Sequence, residues 1–260
     1  MSAPSPEDAA ESPARCFRAI VQYDGTAYRG FQKQRRDNTI QAELENTLAQ
    51  LTGHPVGVIG AGRTDTGVHA LGQVISFTIE WPDRHGLEAL LKAMNTRLPA
   101  DIAVTSIAAA PPGFHPRFDA RRRTYEYHIL YHPVRQPLWR DRVWHVRREP
   151  DIDRMNAAAA VLVGSQDFAT FGRAPVGDNT VRHVYAAVWR RSGERLVFHI
   201  TANAFLNRMV RSLVGSLKEV GVGKWTVEEF AAALRACDRQ LSATTAPARG
   251  LYLVAVEYEN

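Results

Sequence analysis

The sequence predicts an α+β protein made of two ferredoxin-like (split βαβ) domains, with mainly antiparallel sheets and a basic cleft between the domains. Stretches with alternating apolar residues are separated by stretches with helical apolar spacing. The order β-α-β-β-α-β occurs in the first half and a similar order in the second, and Pro111-Pro112-Gly113 interrupts the pattern between them. We therefore expect a disordered tail at 1–14, an N-terminal domain at 15–112 and a C-terminal domain at 113–260.

The first half opens with an alternating stretch, Cys16 to Tyr23, that predicts a strand. Asn38 or Thr39 can cap the helix that follows, because apolar residues recur there at helical spacing. The remaining predicted elements are strands at 56–60 and 73–79, a helix over 87–98 and a strand at 102–107.

The second half is predicted by the same rules. Its elements are a strand from Arg121 to Tyr131, an extended piece at 142–146, a helix from Asp151 or Asp153 through Val163, a hairpin of 182–190 and 195–202, a helix over 205–220, a helix capped by Thr226 and Glu229, and a strand from Leu251 to Tyr258. Two such sheets side by side would leave a cleft between the domains, where binding sites are common.

Composition describes an ordinary globular protein of 260 residues, 45% of them hydrophobic and 23% charged. The net charge is +5, and the only charged residues of the tail are acidic, so the rest of the chain is more basic still. A basic body favours a polyanionic partner, nucleic acid before membrane. No transmembrane stretch or signal peptide is present, which predicts a cytoplasmic protein with no membrane partner.

A metal site is not predicted. The two cysteines form no C-x-x-C pair, which argues against zinc bound by thiolates. The histidines that could be collected into a site, His69, His115, His128, His132 and His145, lack the close paired spacing of metal ligands.

The loop from Gly60 to Ala70 presents a single carboxylate, Asp65, among glycines and next to Arg63. It is not a dinucleotide-binding fingerprint, because the third required glycine would fall at Asp65. Nor does it have the spacing of a phosphate-binding P-loop. A structural turn, in which the aspartate binds backbone amides, and a catalytic loop both fit the spacing.

Basic residues alternate with aromatic residues along the chain, as expected of a surface that neutralises phosphates and stacks on unpaired bases. The clusters are Lys33, Arg35 and Arg36 after Phe31, then Arg117, Arg121, Arg122 and Arg123 around Phe118 and Tyr125, then Arg140, Arg142, Arg147 and Arg148 among Trp139 and Trp144. A solvated charged face is the alternative interpretation of these runs.

Two further arginines, Arg208 and Arg211, lie on the helix predicted over 205–220. Arg211 falls beside the core-facing positions, so we expect it to be partly buried and to need an anionic partner. The alternative is an arginine at the rim of the helix whose charged end reaches solvent.

Several motifs in one order give the chain a resemblance to a known family. They are Tyr23-Asp24-Gly25-Thr26 with Gly30-Phe31-Gln32, Gly62-Arg63-Thr64-Asp65 with Gly67-Val68-His69-Ala70, Phe114-His115-Pro116-Arg117-Phe118-Asp119-Ala120, Arg123-Thr124-Tyr125-Glu126-Tyr127, Asn203-Ala204-Phe205 with Met209-Val210-Arg211 and Val214-Gly215-Ser216, and Gly250-Leu251-Tyr252-Leu253-Val254. From about Phe17 to Tyr258 the sequence resembles the tRNA pseudouridine synthase A family.

The resemblance implies cofactor-free isomerisation of uridine to pseudouridine at nucleotides 38, 39 and 40 of the tRNA anticodon stem-loop. It implies that Asp65 is the catalytic aspartate, that Tyr125 stacks on the target base, that Arg211 pairs with the aspartate and that Arg63 lies beside it. It also implies a homodimer, with tRNA spanning both subunits.

The residues suit this chemistry. An ionised carboxylate can add to the sugar or the base or remove a sugar proton, and the sequence leaves these routes open. A base in a stem must be flipped out at a cost of a few kcal/mol, of which stacking on Tyr125 can return roughly 1–3 kcal/mol. The residues expected to contact RNA are Lys33, Arg35, Arg36, Arg117, Arg121 and Arg208.

Two other functions use the same residues. A non-catalytic tRNA-binding module would need the basic cleft but no carboxylate. A hydrolase of the glycosidic bond would use the carboxylate and release free base.

Overall fold

The computed structural model describes residues 13–34 and 37–259. The strands in these ranges are β1 (Arg15–Tyr23), β2 (Val58–Gly60), β3 (His69–Ile79), β4 (Ile102–Ala109), β5 (Arg122–Tyr131), β6 (Trp144–Val146), β7 (Gly164–Asp167), β8 (Val181–Ser192), β9 (Arg195–Ala202) and β10 (Leu251–Glu257). The α-helices are α1 (Ile40–Thr52), α2 (Gly86–Arg97), α3 (Ile152–Ala160), α4 (Met209–Gly221) and α5 (Val227–Ala236). Most of the tail predicted at 1–14 lies outside the described residues, and β1 begins directly after Ala14.

The strands form one large, mostly antiparallel sheet in the order β4-β1-β3-β10-β5-β9-β8-β7, with β2 beside β3 and β6 beside β5. This differs from the two sheets expected from the sequence. The last strand returns to the first half and pairs in parallel with β3, through Tyr252 opposite His69 and Leu253 opposite Ala70. The pairing satisfies backbone groups of two strands that would otherwise be open edges.

Two hydrophobic clusters lie along this sheet. One packs α1 and α2 on the strands of the first half, and the other packs α3, α4 and α5 on the strands of the second. On β10, Leu253 belongs to the first cluster and Leu251 to the second, while Tyr125 on β5 packs against both. Tyr125 therefore lies where the two cores meet.

The helix starts follow capping chemistry that the sequence predicts. Thr39 accepts a hydrogen bond from the amide of Ala42 at 3.4 Å, and Asp151 caps α3 in the same manner. Thr226 and Glu229 form the expected reciprocal capping box. No helix within the described ranges is long and apolar enough to span a membrane.

Three element boundaries differ from the predictions by three residues or more. The helix predicted over 205–220 begins only at Met209, because Arg208 takes a left-handed φ of 61° that no α-helix can contain. β3 begins at His69 rather than 73, so the loop that carries Asp65 is shorter than expected. α3 ends at Ala160, and the polar strand β7 that follows has no apolar alternation to predict it.

Candidate functional site

The loop that carries Asp65 is fixed on both sides by side chains of neighbouring strands. The amide of Gln73 on β3 donates to the carbonyl of Gly62 at 2.7 Å and accepts from its N–H at 3.3 Å. Thr64 shares a buried hydrogen bond of 2.7 Å with the hydroxyl of Tyr23 at the end of β1. Since the residues before Asp65 are anchored in this way, the sheet fixes the backbone that carries the Asp65 carboxylate.

The segment after β1 packs directly on the backbone of this loop. Gly25 lies so close to Val68 that a Cβ would overlap the Val68 carbonyl. Gly30 has a φ of 93°, and a Cβ there would lie 2.7 Å from the carbonyl of Thr64, which accepts a hydrogen bond from Phe31. The motif glycines of this segment therefore support the Asp65 loop.

We expect Gly25→Ala to lower both stability and activity, because the added methyl group must displace the loop. Overpacking of this kind costs about 1–3 kcal/mol, which in a chain of this size lowers the melting temperature by several degrees. Gly57→Ala is the matched control, since nothing lies within 4 Å of the position that a Cβ would occupy there. Equal melting temperatures and equal turnover for the two variants would contradict this role of Gly25.

The carboxylate of Asp65 meets Arg211, which lies in the first turn of α4. Arg211 Nη1 donates to Asp65 Oδ2 at 2.9 Å. The Asp65 side chain is 42% exposed and that of Arg211 17% exposed. Among the described residues no backbone amide donates to this carboxylate, so the geometry is not that of the structural turn considered from the sequence.

Arg211 is itself held by the chain that follows α5. Its Nε donates to the carbonyl of Ala246 at 2.8 Å, and the amide of Ala246 donates back to the carbonyl of Arg211 at 3.0 Å. Gly215 allows this approach, because a Cβ there would overlap the carbonyl of Thr244. The motif Val214-Gly215-Ser216 thus fixes the direction of the Arg211 guanidinium.

Tyr125 stands beside the Asp65 loop on β5. Its ring packs edge-on against Phe205, with ring centroids 5.0 Å apart and planes at 83°. Its hydroxyl oxygen lies 3.9 Å from the position that a Cβ on Gly62 would occupy. Burial raises the pKa of Tyr125 to about 12; Arg123 opposes this rise and the Asp65 carboxylate adds to it, both less than burial does. Tyr125 is therefore neutral at physiological pH and cannot act as a base there.

Asp65, Arg211 and Tyr125 line one cavity of about 170 Å³ between the two halves of the chain. Its arginines are Arg63, Arg117, Arg123, Arg182, Arg208 and Arg211, and among the described residues Asp65 is its only acidic residue. A single carboxylate, paired with one guanidinium and surrounded by five more, can react with a polyanionic ligand that those cations hold.

The other predicted RNA-contacting residues divide into three groups. Arg117 and Arg208 line the cavity, and so does Arg63. Lys33 and Arg121 do not line it, and they form ion pairs with Glu45 at 2.8 Å and Glu259 at 2.7 Å. Arg35 and Arg36 lie outside the described residues.

Arg123 lines the cavity, although the sequence placed it only in a basic cluster and a motif and not among the candidate site residues. Its guanidinium donates to the carbonyls of Arg117 at 2.6 Å and Asn203 at 2.8 Å, so it connects the cavity wall to the segment that follows β9. The alternation of β5 contains the signal, since Arg123 and Tyr125 are two residues apart and face the same side. Arg182 and Phe205 also line the cavity and were not selected.

His69 is a structural residue of the site. It is 2% exposed, its Nδ1 accepts from the amide of Gly25 at 3.1 Å, and its Nε2 lies 2.9 Å from the carbonyl of Asp141. Burial lowers the pKa of His69 and outweighs the opposing effect of the Asp24 carboxylate, whose Oδ1 lies 3.0 Å from Nδ1. The neutral ring can accept the hydrogen bond from Gly25. Within the described part of the chain, no three His, Cys, Asp or Glu residues are grouped as metal ligands.

Comparison with known proteins adds independent findings. A family model described as tRNA pseudouridine synthase matches residues 19–119 and 158–259. The chain is 40% identical over 251 residues to a tRNA pseudouridine synthase A of Caulobacter vibrioides, covering 93% of this chain and 98% of the relative. It is 44% identical over 239 residues to that of Aeromonas hydrophila, covering 92% and 88%, and 41% identical over 246 residues to that of a Geobacter species, covering 94% and 99%.

Proposed function

The chain belongs to the tRNA pseudouridine synthase family, and on that basis we propose that it converts uridine to pseudouridine at positions 38, 39 and 40 of the anticodon stem-loop, with Asp65 as its catalytic carboxylate. Pseudouridine synthesis in tRNA is an isomerisation, so the chain is an isomerase. The observation that carries the assignment of Asp65 is its ion pair with Arg211 in an arginine-lined cavity.

The reaction breaks the bond between N1 of uracil and C1′ of ribose and forms a bond between C5 and C1′. The proton on C5 is lost and N1 gains one, so substrate and product have the same atoms and no redox cofactor is required. Asp65 can attack C1′, attack C6 of the base, or remove a sugar proton, and each route needs the ionised carboxylate. Arg211 donates to Asp65 Oδ2 and fixes the direction of that oxygen, which leaves the other carboxylate oxygen for the substrate.

The target base must leave the RNA stack to reach Asp65. We propose that the uracil ring stacks on Tyr125, whose own position is set by Phe205. Arg63 is exposed, lines the same cavity and makes no hydrogen bond or ion pair to any residue within 13–34 or 37–259. It is therefore free to fill the space that the base vacates or to contact the RNA backbone.

Substitutions of Tyr125 separate its ring from its hydroxyl. We expect Tyr125→Phe to keep most of the activity, because no described residue bonds the hydroxyl and the ring remains. Tyr125→Ala is expected to lower kcat/KM by about 5- to 150-fold, the equivalent of losing roughly 1–3 kcal/mol of stacking. The measurement is kcat/KM on unmodified tRNA, and equal losses in both variants would assign the function to the hydroxyl.

The position and the reaction are tested together on unmodified transcripts that carry uridine at only one of the three positions. Purified protein is incubated with each transcript without added cofactor, and pseudouridine is mapped by nucleotide. We expect product at 38, 39 and 40 and none in a transcript with cytidine at all three. Free uracil would indicate the hydrolase, and bound but unchanged tRNA the non-catalytic module.

The domain organisation expected from the sequence remains a proposal, with split βαβ domains at 15–112 and 113–260 and a basic cleft between them. Strand order supports it, since β4-β1-β3-β2 in the first half and β10-β5-β9-β8 in the second place equivalent strands in equivalent positions. The cavity that contains Asp65 takes lining residues from both halves. Separate expression of the two segments would test it, because an independent domain gives cooperative unfolding.

We also propose that the protein is a cytoplasmic homodimer whose two subunits share the bound tRNA, as the resemblance implies. Lys33, Arg35, Arg36, Arg117, Arg121 and Arg208 are the proposed RNA-contacting residues. Light scattering of the purified protein tests the dimer, and a mass of one chain at micromolar concentration would exclude it. Unchanged tRNA affinity in alanine variants of the six residues would exclude the contact surface.

A further inference from the structure

A turn beside the Asp65 cavity displays an aromatic side chain to solvent. Phe118 is 74% exposed. Its ring stacks on that of His115, with centroids 4.3 Å apart and planes at 29°, and the Arg117 guanidinium lies 5.8 Å from its centroid. An exposed aromatic ring beside a guanidinium offers a surface on which a nucleobase can stack.

The turn is closed by its own hydrogen bonds. The amide of His115 donates to Asp119 Oδ2 at 2.8 Å, and the amide of Asp119 donates to the carbonyl of His115 at 3.1 Å. The amides of Arg117 and Phe118 both donate to His115 Nδ1, at 3.2 and 3.3 Å. These bonds set the backbone at Phe118 without using its side chain.

Two distant residues anchor the turn to the sheet. Arg123 on β5 donates to the carbonyl of Arg117 at 2.6 Å. Tyr258 donates its hydroxyl proton to the carbonyl of Pro116 at 2.8 Å. The exposure of Phe118 is therefore imposed by a fixed backbone, as expected of a preorganised binding residue.

Phe118 lines a second depression, of about 280 Å³, next to the cavity of Asp65. The two share Gly62, Arg63 and Arg117 as lining residues. Ile59, 47% exposed, adds an apolar surface, and the described residues of this lining include no acid. A flat apolar surface flanked by two guanidiniums matches a nucleobase attached to a phosphate.

We propose that this depression binds a second nucleobase of the tRNA, that of a nucleotide next to the target uridine, stacked on Phe118 with its phosphate towards Arg63 and Arg117. Flipping the target base removes a stacking partner from each of its neighbours. Phe118 offers one neighbour a replacement surface while Tyr125 holds the target. This inference rests on the proposed function and adds a substrate contact to it.

The test compares Phe118→Ala, Phe118→Leu and Phe118→Trp on an anticodon stem-loop RNA. Loss of one base–aromatic stack is expected to weaken binding and lower kcat/KM by about 5- to 150-fold in the Ala variant. The Leu variant keeps apolar volume but no ring and should resemble Ala, whereas Trp should restore wild-type values. Leu138→Ala, at a 94% exposed position outside both depressions, is the control and should change neither value.

The stacked base is identified by replacing the nucleotides that flank the target, one at a time, with an abasic nucleotide. We expect the difference in affinity between wild type and Phe118→Ala to vanish for one of these RNAs and persist for the others. Restoration by Leu as complete as by Trp, or a difference that survives every abasic replacement, would overturn the proposal. Because affinity is read separately from product, a protein that binds the RNA but forms no pseudouridine would refute the proposed function while still reporting on Phe118.

Discussion

Asp65→Asn is expected to abolish pseudouridine formation while tRNA binds at least as tightly as before. Asparagine has the size of aspartate and keeps an oxygen that can accept from Arg211 Nη1, so the loop should stay in place. It cannot add to a carbon atom as a carboxylate does, nor accept a proton at neutral pH. Loss of even an acid–base role would lower kcat by at least about 10²-fold, and loss of a covalent nucleophile by more.

The same substitution removes the only acidic residue among the described residues of the cavity. Loss of this negative charge favours the binding of RNA phosphates. We therefore expect turnover to fall while the dissociation constant for tRNA either falls as well, which means tighter binding, or stays unchanged. Asp83→Asn is a suitable control, because Asp83 is a surface residue paired with Arg15 away from the cavity. An Asp65→Asn enzyme with turnover within a few-fold of wild type would remove Asp65 from the mechanism.

Arg211→Met should have the second largest effect. Methionine keeps much of the aliphatic length but removes the donor to Asp65 and the bond to the carbonyl of Ala246. Removing one positioned donor from an active site costs about 10²–10³-fold in kcat. Stability should fall by only about 1–2 kcal/mol, since the half-exposed Asp65 can be solvated and the lost bonds are ordinary ones.

Arg208→Met is the matched control for this effect. Arg208 lines the same cavity and has the same charge, but it is exposed and does not bond Asp65. We expect it to weaken tRNA binding, more at low salt than at high salt, with little change in kcat. An equal loss of kcat in both variants would mean that net charge, rather than the bond from Arg211 to Asp65, supports the reaction.

Local structure followed from the sequence where one physical rule dominates. Strands with one buried face, such as β1, are visible as alternation, and helix starts at Thr39 and Thr226 are visible as capping residues. α4 was extended too far because Phe205 continues the four-residue apolar spacing of Met209 and Leu213. The left-handed backbone at Arg208 prevents the helix from starting earlier, and the arginine residue type does not predict this conformation.

That the strands of the two halves join in one sheet could not be predicted from the sequence. It depends on a parallel pairing of β10 with β3 that covers two residues on each strand, too short a contact to leave a pattern. The partner of Asp65 was equally hidden, because Arg211 is 146 positions away and only the folded chain brings α4 to the loop. Local spacing therefore allowed both a turn and a catalytic loop, whereas the family resemblance named Arg211 directly.

Arg123 was not predicted as a site residue for a different reason. Its pattern was present, two residues before Tyr125 on the same face of β5, yet it lies in a run of three arginines that also fits a solvated face. Four carbonyl oxygens around its guanidinium, which only the structure reveals, distinguish it from its neighbours.

The most direct test of the catalytic assignment is a single-turnover reaction with enzyme in saturating excess over one anticodon stem-loop RNA. Every RNA molecule is then bound, so differences in affinity disappear and only the chemical step is compared. We predict that wild-type protein converts the target uridine completely, while Asp65→Asn forms no pseudouridine in the same time and releases no uracil. Conversion by Asp65→Asn at a rate within tenfold of wild type would contradict the role assigned to this carboxylate.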